Sequence, residues 1–106
     1  MFHVKQIIHI RIDMTIPGAG SVTHIAELEE IDSSTCTMLR IIELDPSERI
    51  HGAATQSSSV GMPNKPSSTV PHPDTYADFP DIKSRPLTAE EFEGLWAEAL
   101  AAFPEL

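Results

Sequence analysis

Residues 3–14, HVKQIIHIRIDM, alternate between apolar and polar positions. Val4, Ile8, Ile10, Ile12 and Met14 fall on one side; His3, Lys5, His9, Arg11 and Asp13 fall on the other. A period of two is that of an extended chain, so the segment predicts a half-buried strand, with Gln6 and Ile7 as exceptions. PGAG at 17–20 is a turn by composition, because glycine takes positive φ at little cost. SVTHIAELEEI (21–31) reads as a second strand, and DSS at 32–34 as a second turn. TCTMLRIIEL (35–44) is rich in β-branched and apolar residues and predicts a third, central strand. DPSE at 45–48 suits a type I turn with Pro46 at its second position. RIHGAAT (49–55) is a weaker fourth strand. Three short connections between four strands predict an antiparallel meander.

The pattern then breaks. Residues 56–86 hold six prolines and six serines, and proline removes backbone donors, so this stretch reads as an irregular loop. Val70, Tyr76, Phe79 and Ile82 recur in it and are expected to pin its second half across the sheet, with 57–69 looser. Residues 88–103 predict a helix. Thr88 is a good N-cap, and Glu91 three residues on completes a T-x-x-E capping box. Leu87 and Phe92 have the spacing of a hydrophobic staple. Phe92, Leu95, Trp96, Ala99 and Phe103 form one apolar stripe, and Pro104 ends the helix. The stripe is expected to cover the sheet face of Ile8, Ile10 and Ile12, with Trp96 buried there. The reading is a single α+β domain over 1–106: a four-stranded antiparallel meander within 3–55, a long Pro/Ser-rich loop over 56–86, and one C-terminal helix packed on one face.

Charge changes the picture next. Sixteen acids stand against seven bases, a net charge of −9. Phosphate backbones and anionic membranes repel such a surface, so a basic protein partner is expected in place of nucleic acid or membrane. Glu90 and Glu91 favour the positive end of the helix dipole. Glu93 and Glu98 owe nothing to capping, and residues 86–106 contain five acids and no base. With the run Glu27, Glu29, Glu30 and Asp32, the acids Glu90, Glu93 and Glu98 form the candidate partner-binding surface. The single cysteine excludes an internal disulfide, and no stretch approaches a membrane span of about 20 apolar residues; both favour a cytoplasmic protein.

Catalytic and metal signals are weak. None of the five histidines has metal-ligand spacing. GAGS at 18–21 leads into a strand pattern, where a phosphate loop leads into a helix. No calcium loop or nucleophile elbow is present, and Cys36 reads as a core residue. No cofactor or metal is expected. His9 and His24 are candidates to meet across the first hairpin, and Arg40, set among apolar residues, asks for a carboxylate such as Glu27. His9, Arg11, His24 and Arg40 make an alternative site on an open sheet face.

AELEEIDSSTCTMLRIIEL, a Pro-rich stretch, and then PLTAEEFEGLWAEAL resemble an uncharacterised family of small acidic bacterial domains. Its pattern runs from an S/A-E-L acidic strand through an arginine-bearing third strand and a loop to a closing E-E-F-E-x-L-W helix. The match covers roughly residues 22–100. The chain departs from it at Ile8, where an aromatic is often seen, and in lacking a glycine after Asp45. The family brings no catalytic residues. It looks like the immunity proteins paired with secreted bacterial toxins, a likeness of size, charge and missing catalytic motif. The expected function is a non-enzymatic protein-binding module, an immunity-type inhibitor of a basic toxin such as a nuclease. The alternatives are a small-molecule-binding or regulatory domain with a pocket between loop and sheet, and a small enzyme using His9, His24 and the Glu27 cluster.

Overall fold

The four expected strands form the meander. In a computed structural model of the chain, which describes residues 6–16, 20–61, 69–73, 75 and 82–106, they are β1 (Ile7–Ile16), β2 (Gly20–Glu30), β3 (Thr35–Leu44) and β4 (Ile50–Thr55), each antiparallel to the next. The PGA of the first turn lies outside the described residues; Gly20 closes that turn with φ +88°. The second turn is built by Asp32, whose Oδ1 accepts from the Ser34 backbone N–H at 2.9 Å. The third is built by Asp45: its Oδ1 accepts from the Ser47 and Arg49 backbone N–H groups, and its carbonyl accepts from Glu48 N–H at 2.8 Å. Glu48 turns the chain back with φ +63°.

The expected loop is a correction, because it supplies three more strands. Among the described residues the sheet has seven: β5 (Ser59–Val60) extends β4, β6 (Val70–Pro71) pairs the start of β3, and β7 (Ile82–Pro86) pairs β1. Proline density does not forbid β7. Leu87 N–H donates to the His9 carbonyl at 2.9 Å, and Pro86 lies opposite Ile10. The alternation of an antiparallel ladder therefore turns the Pro86 nitrogen away from β1, where no donor is needed. Val70 and Ile82 do pack on the sheet, as expected; Tyr76 and Phe79 lie outside the described residues.

The helix α1 (Ala89–Ala102) starts as its sequence dictates. Thr88 Oγ1 accepts from Glu91 N–H at 3.0 Å, and the Glu91 carboxylate accepts from Thr88 N–H at 3.1 Å. Leu87 packs on the cluster holding Phe92. Most of its stripe is buried, Phe92 and Ala99 fully and Trp96 to 8% exposure, while Leu95 and Phe103 are half-buried at its margin. No described helix is long and apolar enough to cross a membrane.

The face that α1 covers is the second correction. Phe92, Trp96 and Ala99 pack with Ile25 of β2, Ile42 and Leu44 of β3 and Ala53 of β4. Cross-strand pairing puts Ile25 beside Arg11, so α1 lies on the face of His9 and Arg11. Ile10 and Ile12 belong to the opposite face, with Ala26, Leu28 and Cys36. Trp96 is buried as expected, but against different partners. The reason lies in β2 and β3, which carry apolar residues on both faces. The polar side of β1 faces a core assembled from its neighbours.

Candidate functional site

Under the N-terminal half of α1 lies a charged cluster. Partners across the first hairpin are equidistant from residue 18, which sets His9 against Glu27. A bulge in β3 between the pairs Glu27–Arg40 and Leu28–Met38 keeps Arg40 on the helix face. Arg40 Nε and Nη2 donate to the two Glu27 oxygens at 2.7 and 2.6 Å, a bidentate fork. His9 Nε2 lies 3.0 Å from Glu27 Oε2. The Arg40 guanidinium also reaches Glu93 and lies 4.8 and 5.1 Å from the Phe92 and Trp96 ring centres. The His9 ring sits 4.9 Å from that of Phe92. The fork from Arg40, with help from His9, outweighs burial and holds the Glu27 carboxyl below the usual carboxylate range; Arg40 itself is raised, first by its bonds to Glu27. Neither charge is spare. The Glu27 side chain is only 13% exposed and is fully engaged.

Beside this cluster, α1 and the β1–β7 edge flank a shallow, open groove of about 490 Å³. Glu90, Glu91 and Glu98 line its helix wall, Gly94 leaves it open, and Arg11 and Arg85 lie on the strand side. Arg11 and Arg85 are cross-strand neighbours. Arg11 donates to Asp13 at 3.3 Å and to Glu48 at 2.5 Å, bonds that raise its pKa against burial. Burial pushes the Asp13 carboxyl up, but Thr23, whose hydroxyl donates at 2.7 Å, and Arg11 together bring it below its ordinary value.

On the opposite face Glu43 bridges two histidines, with His24 Nε2 at 2.7 Å from one oxygen and His51 Nε2 at 2.5 Å from the other. Burial raises its carboxyl, and the two histidine bonds more than offset this, lowering it. The buried His72 holds Glu30 at 2.9 Å. Among the described residues no group of three or more His, Cys, Asp or Glu side chains is arranged to hold a metal ion, and no buried side-chain nitrogen or oxygen lacks a hydrogen-bond partner.

The expected acidic surface is thus divided. Glu90, Glu93 and Glu98 are exposed on α1. Asp32 is exposed but turned to Ser34, whose backbone N–H holds its carboxyl low. Glu29 and Glu30 are half-buried at the end of β2, and Glu27 belongs to the interior. The alternative sheet-face site does not assemble. His9, Arg11 and Arg40 share the helix face, whereas His24 pairs with Ile12 on the other, so His9 and His24 do not meet. Arg40 does find Glu27. Sequence reading missed the Glu43 bridge, Glu48 and Arg85. Counting outward from the first turn would have set His9 opposite Glu27, where the sequence reading set it opposite His24; Arg85 has no partner legible without β7. Comparison with protein-family models, with curated proteins and with solved structures finds no match.

Proposed function

We propose that the protein is a non-enzymatic protein-binding module whose acidic helix surface engages a basic partner, most concretely as an immunity-type inhibitor of a bacterial toxin such as a nuclease. The observation that carries this reading is the wall of Glu90, Glu91 and Glu98 along the groove, on a helix with no basic residue in its last turn. Glu91 serves the fold through the capping box, Glu90 adds only a first-turn charge to the helix dipole, and Glu98 does neither. Glu90 and Glu98 are free to receive lysine or arginine side chains, and the net charge of −9 steers a basic surface toward them. The enzyme reading asks for His9, His24 and Glu27 at one place, and the sheet separates His24 from the other two.

The test uses Glu90→Gln and Glu98→Gln together, with Glu91 retained. Genes neighbouring this chain's are first searched for one encoding a basic toxin-like domain, and association with that domain is followed by stopped flow from low to high salt. The unmodified chain associates fast and slows steeply with salt, and the double variant associates more slowly with a flatter salt dependence. An unchanged rate and slope in the variant, or no association at all, overturns the reading.

A further inference from the structure

The sheet face away from α1 carries a cavity of about 320 Å³. Ile12 and Met14 of β1, Met38 of β3, Val70 of β6 and Ile82 of β7 form its apolar wall, and among the described lining residues His24 of β2 is the one titratable group. We propose that this cavity binds a small neutral apolar molecule carrying one hydroxyl or N–H donor, which His24 accepts.

Size comes first. The volume equals roughly ten waters at about 30 Å³ each, which suits a molecule of about ten to fifteen heavy atoms and falls within the range of ligand pockets. The wall gives water almost nothing to bond, so ordered water is a poor occupant. Two methionines on opposite sides adapt their shape to an inserted body.

Polarity comes next. His24 Nε2 lies 2.7 Å from Glu43, and the other Glu43 oxygen is taken by His51. An ionised carboxylate only accepts, so it draws the Nε2 proton from both rings. The Glu43 carboxyl, held low, remains ionised at neutral pH. In the neutral His24 ring this leaves Nδ1 as an acceptor. The cavity therefore matches a donor. Both Glu43 oxygens are already taken by His24 and His51, so a cation finds no open counter-charge among the described lining residues, and an anion finds no Lys or Arg there.

The probes are 2-naphthol, which has the size and one donor, and naphthalene, which has the size alone. Each is titrated into the full chain at neutral pH and followed by calorimetry and ligand-observed NMR. 2-Naphthol is expected to bind one per chain, about fivefold tighter than naphthalene, the advantage of one net hydrogen bond. Val70→Phe or Met38→Phe fills the space and weakens both probes at least about tenfold, the loss expected when a well-packed ligand is displaced. His24→Phe or His24→Leu removes the acceptor and brings 2-naphthol down to the affinity of naphthalene. Circular dichroism and thermal melts confirm that each variant is folded. The proposal is overturned if neither probe binds up to its solubility limit, if both bind the unmodified chain equally, or if the filled variants keep full affinity. The comparison of probes on the unmodified chain decides the matter even where a variant does not fold.

Discussion

Arg40→Met isolates the charged cluster beneath the helix. Methionine keeps an aliphatic stem against Phe92 and Trp96 while removing the fork to Glu27 and the cation over the two rings. Taking one partner from a fully buried ion pair costs about 3–5 kcal/mol. Here the Arg40 side chain is 23% exposed, Glu27 is 13% exposed, and His9 remains as a partner. Solvent and His9 reduce the cost to about 2–3 kcal/mol at neutral pH. With a urea slope of roughly 1–3 kcal/mol per molar, the unfolding midpoint falls by about 0.7–3 M.

The pH dependence makes this prediction specific. In the parent the Glu27 carboxyl is lowered, chiefly by Arg40, from an ordinary value of 4.5. Its stabilising contribution is fully present above that value and is lost as pH falls through the lower folded value. Without Arg40 the main lowering cause is gone and burial, which raises the carboxyl, is left opposed by His9 alone. Ionised Glu27 then costs stability, and protonation relieves it. The penalty of Arg40→Met is therefore largest near pH 7 and shrinks below about pH 4.5. Glu27→Gln combined with Arg40→Met costs less than the sum of the single changes, with a coupling of about 1–3 kcal/mol. Urea melts of the four proteins near pH 7 and pH 4 check both statements. A penalty under about 0.5 kcal/mol at pH 7, or one independent of pH, would falsify the view that Arg40 is the counter-charge of an interior Glu27.

Trp96→Ala is expected to cost about 3–5 kcal/mol, because it removes a large buried ring from the face built by Ile25, Ile42 and Leu44; chemical denaturation with the parental midpoint contradicts the packing. Thr88→Ala removes the cap of α1 and is expected to cost about 0.5–2 kcal/mol, read from the same melts. Two glycines with positive φ separate strain from collision. Gly20→Ala meets open space and costs about 1 kcal/mol, whereas a Cβ on Gly61 falls 2.1 Å from the His51 carbonyl oxygen, so Gly61→Ala costs clearly more. Equal melting temperatures for the two alanine variants count against the close approach of Gly61 to β4.

What sequence alone determined is what neighbouring residues decide among themselves. Thr88 and Glu91 are one helical turn apart, and their capping box forms wherever a helix starts there. Asp32 and Asp45 bond backbone groups two to four residues on, so both turns are local events. Strand periodicity in β1 to β3 has the same origin, and hairpin spacing further sets which residues face each other, including His9 and Glu27. Tertiary structure decided the rest. Alternation in β1 separates Ile10 and Ile12 from His9 and Arg11, but the face that receives α1 is chosen by Ile25, Ile42, Leu44 and Ala53 on three other strands. That choice turns Glu27 from a surface acid into an interior one, whereas His24 is parted from His9 by strand alternation alone, since it lies opposite Ile12. Ile82–Pro86 carries almost no strand signal of its own; it becomes β7 because β1 offers an unpaired edge to which only alternate residues of β7 must donate, leaving the proline nitrogen outward. A backbone edge formed by residues some seventy positions earlier has no trace in the local pattern of residues 82–86, so only the assembled sheet could assign them.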